Sequence, residues 1–184
     1  MAAFEGKRIV VFGTSGSGKT TLARNLAAKL GIPHVEIDAL NWGPNWTQAT
    51  SEQLHERVGQ ALAGDSWVVD GNYSGVRPYI WSRATTLIWL NYSLPVIMTR
   101  LVRRTSRRVF SREELWSGNR ESLRKTLFTR DSILWWALTT YKRKRRDYPV
   151  LLAKPENAHL QVFQFQSPRA TDRWFETIIK APDL

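Results

Sequence analysis

The octet Gly13–Thr20 constrains this chain more than any other part of its sequence. It reads Gly-Thr-Ser-Gly-Ser-Gly-Lys-Thr, a glycine and four residues followed by Gly-Lys-Thr. The short β-branched run Lys7–Phe12 precedes it, and Lys19–Leu30 follows with a leucine at every fourth position. These flanks predict a strand, a tight loop and a helix. Such a loop directs backbone N–H groups at phosphate oxygens, so we expect the chain to bind a nucleoside triphosphate.

The side chains of this loop have separate expected roles. Lys19 is expected to reach the β- and γ-phosphates, and the Thr20 hydroxyl to help hold Mg²⁺. The loop does not define a reaction, because ATPases, switches, transporters and kinases share it. The residues expected to bind ATP here are Gly13, Ser15, Gly16, Ser17, Gly18, Lys19, Thr20 and Thr21.

Apolar runs alternate with helical patterns along the rest of the chain. The run Thr85–Leu90 is almost wholly apolar, as in a strand buried on both faces of a parallel sheet. We therefore expect a single P-loop α/β domain over 1–184, with three layers and about five parallel strands. The other predicted elements are strands over His34–Ile37, Ser66–Val69 and Leu160–Phe165, and helices over Ser51–Ala63, Pro95–Phe110, about Asn119–Arg146 and Arg169–Ile179.

Composition excludes some classes of protein and charge points to others. The chain has no cysteine, which excludes disulfides, cysteine-ligated zinc and a cysteine nucleophile. No apolar run approaches the roughly 20 residues of a membrane helix, so we expect a cytoplasmic protein. The segment Arg100–Arg146 holds 15 basic and four acidic residues and thus carries the whole net charge of +11. Such a segment attracts nucleotides, nucleic acid or an anionic membrane surface.

Two aspartates are expected beside the phosphate loop. Asp38 and Asp70 each fall at the carboxyl end of a predicted strand, where ligands bind in open α/β sheets. Phosphoryl transfer needs a metal ion on the phosphate oxygens and a group that orients the acceptor. The alternative is that each aspartate caps the following turn or helix.

Five arginines in the predicted helix Pro95–Phe110 share one face, because they are spaced i, i+3, i+4, i+7 and i+8. Like charges on one stripe repel each other unless an anion lies there, and the arginine fork fits phosphate oxygens. The alternative is a solvated basic face. The five residues are Arg100, Arg103, Arg104, Arg107 and Arg108.

Two further groups of residues have two interpretations each. The run Lys142–Arg146 is typical of a nucleic-acid or polyanion patch, and also of cations at a helix C-terminus. Trp42, Trp46 and Tyr73 fit either stacking on a base or sugar ring, or packing in the core. The three histidines show no metal-ligand spacing, and we assign them no role.

Strings along nearly the whole chain resemble the adenylate-kinase-like nucleotide kinases. The phosphate loop, Leu30–His34 with Glu36–Asp38, Asp70–Tyr73 and the arginine-rich helix pair carry this likeness. The closer likeness is to the bacterial topology-modulation proteins. It rests on Asp38–Trp46, Trp67–Tyr73 and Trp116–Glu121.

The resemblance implies a kinase that transfers the γ-phosphoryl of ATP with Mg²⁺. It implies that Asp70 serves the metal through water and that Asp38 contacts acceptor or metal. A lid, Ser111–Gly118 within a region of about 100–125, would close on ATP. The pattern Arg-Leu-x-x-Arg places Arg100 against adenine and Arg104 on phosphate, and Gln166–Arg169 follows the last strand, where the adenine ring lies in these kinases. Arg107, Arg108, Arg112 and Arg120 would follow in or near the lid.

The phosphate-loop pattern and the resemblance together lead us to expect catalytic roles for Lys19, Asp38, Asp70, Arg104 and Arg108. They also imply that Thr20 and Asp70 hold the metal, and that Arg100, Arg104 and Arg169 bind ATP. The acceptor stays open. Where adenylate kinases have Asp-Gly-Phe-Pro-Arg, this chain has Asp-Gly-Asn-Tyr-Ser at 70–74, which lacks the arginine that grips a monophosphate. The alternative functions are a DNA-associated ATPase and a nucleotide-binding regulator. In each case the protein would be a monomer or a dimer.

Overall fold

The strands of this protein form a single parallel sheet. The computed structural model describes residues 4, 6–111, 113–120 and 133–180. The strands are β1 (Arg8–Gly13), β2 (His34–Glu36), β3 (Trp67–Asp70), β4 (Thr86–Leu90) and β5 (Gln161–Phe165). They lie in the order β2-β3-β1-β4-β5, and every pair is parallel. The predicted α/β fold with about five parallel strands is confirmed.

Seven α-helices connect or flank these strands in the described part of the chain. They are α1 (Lys19–Leu30), α2 (Ile37–Asn41), α3 (Ser51–Ala61), α4 (Arg77–Arg83), α5 (Leu94–Phe110), α6 (Ile133–Leu152) and α7 (Pro168–Lys180). Three short 3-10 turns cover Pro44–Trp46, Trp116–Gly118 and Pro155–Asn157.

The differences from the predicted elements have local causes. Helices α2 and α4 have only five and seven residues, too few to show a helical period. Ile37 begins α2 and does not end β2. The long helix expected from about Asn119 is described only from Ile133, and Asn119 itself follows a 3-10 turn. Its described part continues past Arg146 to Leu152, with Pro149 inside.

Successive side chains of each strand enter opposite layers, because strand side chains alternate between the two faces of a sheet. In β1, Val10 and Phe12 belong to a core cluster with α3, α4 and the end of α6. Ile9 and Val11 belong to a second cluster with α1, α7 and the beginning of α5. All four are at most 1% exposed. The central strand is therefore covered on both faces, as the apolar runs predicted.

One edge of the sheet collects the polar residues considered next. Glu36, at the end of β2, pairs with Asp70, at the end of β3, and Asp70 pairs in turn with Val11 of β1. β1 leads directly into the phosphate loop. In the part of the chain that the structure describes, no helix is both long and apolar enough to cross a membrane.

Candidate active site

The phosphate loop turns sharply between β1 and α1. Gly18 immediately precedes α1 with a φ of 94°, and Gly16 has a φ of 87°, conformations that a side chain disfavours. A Cβ at Gly16 would lie 2.9 Å from the carbonyl oxygen of Ile97. The loop is therefore packed directly against the first turn of α5. Its backbone is fixed further by the Ser17 amide, which donates to the Thr14 carbonyl at 3.1 Å.

Lys19 is surrounded by charged groups from four other elements. Burial lowers the pKa of its ammonium group, whereas the nearby carboxylates of Asp38, Asp70 and Glu36 raise it and Arg104 lowers it. Four of the five residues predicted to be catalytic are thereby brought together, namely Lys19, Asp38, Asp70 and Arg104.

Thr20 and Asp70 offer neighbouring oxygen atoms beside Lys19. The Thr20 hydroxyl donates to Asp70 Oδ2 and lies 3.4 Å from Glu36 Oε1. Hydroxyl and carboxylate oxygens are ligands that Mg²⁺ prefers, and this ion keeps several waters when few protein ligands are present. Among the described residues no group of three or more His, Asp or Glu side chains is arranged for a metal ion. The donor set thus fits Mg²⁺ held mainly by Thr20, Asp70, water and phosphate.

His34 and Glu36 are site residues that the sequence did not identify. His34 Nε2 lies 3.3 Å from Asp70 Oδ1. The pKa of Glu36 is raised, first by burial and next by the charge of Asp70, while a hydrogen bond with the Trp116 side chain lowers it. Both residues reach Asp70 only because β2 pairs with β3, which no local pattern predicts. The signal available was that both lie in the strand before Asp38.

Asp38 is held by a tyrosine from the loop after β3. The Tyr73 hydroxyl donates to Asp38 Oδ1 at 2.6 Å. Burial, followed by the charge of Asp38, raises the pKa of Tyr73, so its hydroxyl stays a donor. Asp38 lies in the first turn of α2, and the residue that caps this helix is Glu36. The side chain of Asp38 therefore faces Tyr73 and Lys19 and does not act as the helix cap.

The arginines of α5 have different surroundings. Arg100 Nη1 donates to the Ser17 carbonyl at 3.1 Å, and its guanidinium lies 5.5 Å from the centre of the Tyr92 ring. Arg104 is half-buried and close enough to Lys19 to affect its pKa. Arg100 and Arg104 thus lie at the phosphate loop.

The remaining predicted arginines have other contacts or positions. Arg108 Nε lies 3.3 Å from Glu113, which also pairs with Arg107 at 3.6 Å. Arg120 pairs with Glu114 at 3.6 Å. Arg169 is exposed in the first turn of α7, and Arg112 lies outside the described residues, as do 121–125 of the expected lid region.

Two loops of the same form face each other beside Asp38. We call residues 42–48, which contain Trp42 and Trp46, the acceptor loop, and residues 114–120, which overlap the predicted lid, the lid loop, and both names refer to predicted roles. Each closes with an antiparallel bridge between its first and last residues. Each also contains a residue with a φ of 56°, Asn45 in the acceptor loop and Ser117 in the lid loop. The segment Ser111–Gly118, predicted to be a lid, thus overlaps one of two compact turns of the same form, and its role as a lid stays a prediction.

Asn119 joins the lid loop to the acceptor loop. Its Oδ1 accepts from the Trp46 amide at 2.9 Å, and its Nδ2 donates to the Gly43 carbonyl at 2.8 Å. The Trp46 and Trp116 rings meet edge to face at 6.4 Å. The lid loop is thus docked on the acceptor loop, and Trp46 lies at this junction and not in the core. That the lid loop closes on ATP stays a prediction.

Arg77 and Lys144 extend the site toward α4 and α6. Arg77 Nε donates to Asn72 Oδ1 at 2.5 Å, and its guanidinium lies 5.8 Å from the centre of the Trp81 ring. Burial lowers the pKa of Lys144 to about 8, with further lowering by Lys19, Arg143 and Arg77. Lys144 belongs to the run Lys142–Arg146, for which the sequence allowed a helix-end or a polyanion role. Lys144 differs from the rest of this run because it is half-buried.

Comparisons with known proteins agree with this fold. The family described as AAA domain matches residues 9–123, more than half of the chain. This range contains the phosphate loop, Asp38, Asp70 and the arginines of α5. No curated protein matches the sequence.

Solved structures with a similar fold include three small kinases. A gluconokinase from Sinorhizobium meliloti is 20% identical, with a TM-score of 0.51 over 94% of this chain and 95% of that one. A shikimate kinase from Bacteroides thetaiotaomicron is 16% identical, with a TM-score of 0.56 over 95% and 94%. A sugar kinase from a Janibacter species is 20% identical, with a TM-score of 0.50 over 94% of each chain. At these identities the likeness establishes the fold.

Proposed function

We propose, from the premise that this chain belongs to the AAA domain family, that it is an ATP-dependent phosphotransferase acting on a small hydroxyl- or phosphate-bearing acceptor. One observation carries the proposal. A carboxylate oriented by a tyrosine hydroxyl, Asp38 with Tyr73, lies beside the phosphate-loop lysine, Lys19. A group that receives the acceptor's proton belongs at this place in a kinase.

The proposed roles follow the geometry. Lys19 and Arg104 neutralise charge on the transferring phosphoryl group. Arg100 braces the phosphate loop through the Ser17 carbonyl. Thr20 and Asp70 would hold Mg²⁺, which when bound neutralises charge on the β- and γ-phosphate oxygens. The predicted roles of Arg108 in catalysis and of Arg169 at the adenine stay predictions.

For a hydroxyl acceptor, the reaction exchanges one P–O bond for another. The acceptor oxygen bonds to the γ-phosphorus of ATP, and the bond from that phosphorus to the β–γ bridging oxygen breaks. The electron pair of the broken bond stays on ADP. The hydroxyl proton passes to Asp38 and then to water.

The names of the similar structures suggest which acceptors to try first. They are named as a gluconokinase, a shikimate kinase and a sugar kinase, and these names refer to gluconate, shikimate and a sugar as the acceptors. Each of these acceptors is a small polyhydroxylated molecule, so we infer that the acceptor here belongs to the same broad class. ATP and such an acceptor would meet in the cytoplasm, where we place the protein.

The closer sequence likeness to topology-modulation proteins leaves a DNA-associated ATPase as the second candidate. Exposed basic side chains on α5 and α6 support it, among them Arg103, Arg143 and Arg146. Such an enzyme would release phosphate only with DNA, and its DNA affinity would fall steeply with salt.

The test is to incubate the protein with Mg²⁺ and γ-labelled ATP against a panel of sugars, sugar acids, nucleosides, nucleotides and DNA. Lys19→Ala removes the loop lysine, and Lys29→Ala, in the last turn of the same helix, is the matched control. Label on one small acceptor, lost in Lys19→Ala and kept in Lys29→Ala, supports the proposal. Phosphate release that depends on DNA, or ATP binding without any product, contradicts it.

A further inference from the structure

Arg77 is a half-buried arginine that is held in place by an amide and two aromatic rings. Its Nε donates to Asn72 Oδ1, and its guanidinium lies over the ring of Trp81, at 5.8 Å from its centre, and over the ring of Tyr148, at 5.9 Å. A neutral amide and two ring faces orient the guanidinium but do not cancel its charge. Burial accordingly lowers its pKa.

Lys144 brings a second charge to the same place. It lies four residues, about one helical turn, before Tyr148 in α6, so both residues share a helix face. Tyr148 is 3% exposed and packs against Phe12 and Trp89 of the sheet. This anchoring fixes the side of α6 that faces the site. The charges of Lys19 and Arg77 both act on Lys144, which places it near both.

Among the acidic side chains, Asp38 acts on Lys144 and raises its pKa. Within the part of the chain that the structure describes, no carboxylate forms an ion pair with Arg77 or Lys144. Two half-buried cations that lie close together repel each other unless an anion is bound between them. Arginine favours planar two-oxygen anions and lysine contributes a point charge.

We propose that Arg77 and Lys144 form a binding site for an oxyanion of the acceptor, a carboxylate or a phosphate. The inference rests on the proposed function and narrows it. The acceptor would then carry two features, a hydroxyl that reaches Asp38 and an anionic group held by Arg77 and Lys144.

The position of Arg77 distinguishes this site from the one for ATP. Arg77 begins α4, which packs on the sheet face opposite to α1, and it contacts Asn72, the neighbour of Tyr73. It therefore lies on the Asp38–Tyr73 side of the site. Arg100 of α5 contacts the phosphate loop from the other side, through the Ser17 carbonyl.

A binding experiment tests the site without turnover. The protein is loaded with Mg²⁺ and β,γ-imido-ATP, so that the phosphate loop is filled, and titrated with inorganic phosphate and, separately, with acetate by calorimetry. We expect Arg77→Met and Lys144→Met each to weaken binding of one of these anions at least tenfold. Unchanged affinity in both variants, or no anion binding to the loaded protein, would overturn the inference.

Matched controls separate the site from loss of charge or folding. Arg83→Met removes an arginine of the same helix that lies 5.6 Å from the centre of the Tyr79 ring, and Lys142→Met removes an exposed lysine of α6. Both should bind the anions within twofold of wild type. If Arg77→Met fails to fold, Arg77→Gln, which keeps a polar side chain beside Asn72, replaces it. Equal weakening in the controls would also overturn the inference.

A second arm compares acceptors in matched pairs, sugar acids with their amides and sugar phosphates with the free sugars. A preference for the acid member identifies a carboxylate site, and a preference for the phosphorylated member identifies a phosphate site. Transfer to neutral sugars that is unaffected by Arg77→Met would refute this inference while leaving the kinase intact. Failure of every acceptor, with anion binding lost in Arg77→Met, would refute the kinase and retain the anion site.

Discussion

The Tyr73 hydroxyl donates a 2.6 Å hydrogen bond to Asp38, joining the loop after β3 to the first turn of α2. If Asp38 receives the proton of the acceptor, its orientation should matter for turnover more than for ATP binding. With the acceptor identified, Tyr73→Phe is expected to lower kcat about tenfold and Asp38→Asn about 100-fold or more. ATP affinity should stay within about twofold, and Tyr79→Phe, in the neighbouring helix, is the control. An equal loss of ATP affinity would contradict the assigned role.

Removal of Mg²⁺ tests the pairing of Thr20 with Asp70. Chelation with EDTA should weaken ATP binding to the wild type, because charge on the phosphates is then balanced without the metal, by protein cations such as Lys19 and Arg104. In Asp70→Asn the affinity with Mg²⁺ should approach the affinity without it, whereas Asp65→Asn, at an exposed position, should respond like the wild type. Titration of ATP with and without EDTA measures both. An unaltered Mg²⁺ effect in Asp70→Asn would remove this residue from the metal site.

Asn119 should control the junction of the lid loop with the acceptor loop. It is 5% exposed and bonds to Trp46, Gly43 and Trp116. Asn119→Ala leaves these backbone groups unsatisfied, at a cost of about 1–3 kcal/mol. We expect faster hydrogen exchange at the Trp46 amide, measured by mass spectrometry or NMR. Asn157→Ala, which removes a bond to the Leu151 carbonyl elsewhere, should leave Trp46 unchanged. Equal exchange in the two variants would argue against the junction.

Gly16 is expected to tolerate no side chain. Its φ of 87° is strained for alanine, and the Cβ would lie 2.9 Å from the Ile97 carbonyl oxygen. Gly16→Ala should lower the free energy of unfolding by about 1–3 kcal/mol and weaken ATP binding. Urea unfolding and calorimetry measure the two effects. Gly75→Ala, where a Cβ meets nothing within 4 Å, is the control. A Gly16→Ala protein as stable as this control would be inconsistent with the close packing of the loop.

Lys144 should react as an unusually neutral lysine. Its pKa is lowered to about 8 by burial and by Lys19, Arg143 and Arg77, with Asp38 acting in the opposite direction. Below pH 8 the amine is mostly charged, and above it mostly neutral and nucleophilic. Acetylation by acetic anhydride, followed by mass spectrometry, should therefore rise with a midpoint near pH 8, well below the pKa of about 10.4 of a lysine side chain in a model peptide. ATP adds negative charge and should move the midpoint of Lys144 upward. A midpoint near the model-peptide value would show that Lys144 is fully solvated.

Much of the fold was predictable because it depends on local sequence patterns. The octet Gly13–Thr20 has a spacing that only a few conformations satisfy, and its flanking strand and helix form as predicted. Apolar runs such as Thr86–Leu90 identify strands because a strand that is buried on both faces has apolar side chains at successive positions. Local spacing also predicted the basic face of α5 to which Arg100 and Arg104 belong, since a helix places every third and fourth residue on one face.

The rest depended on contacts between residues far apart in the chain. His34 meets Asp70 because β2 lies beside β3, and strand order leaves no trace in a single segment. Arg77 and Lys144 approach each other because α4 and α6 cover the same sheet face through Trp81 and Tyr148. Sequence by itself determined the phosphate loop and the class of fold, since each rests on short-range spacing. Only the tertiary structure decided which charged groups are buried together, because burial and the pairing of charges arise when distant elements pack.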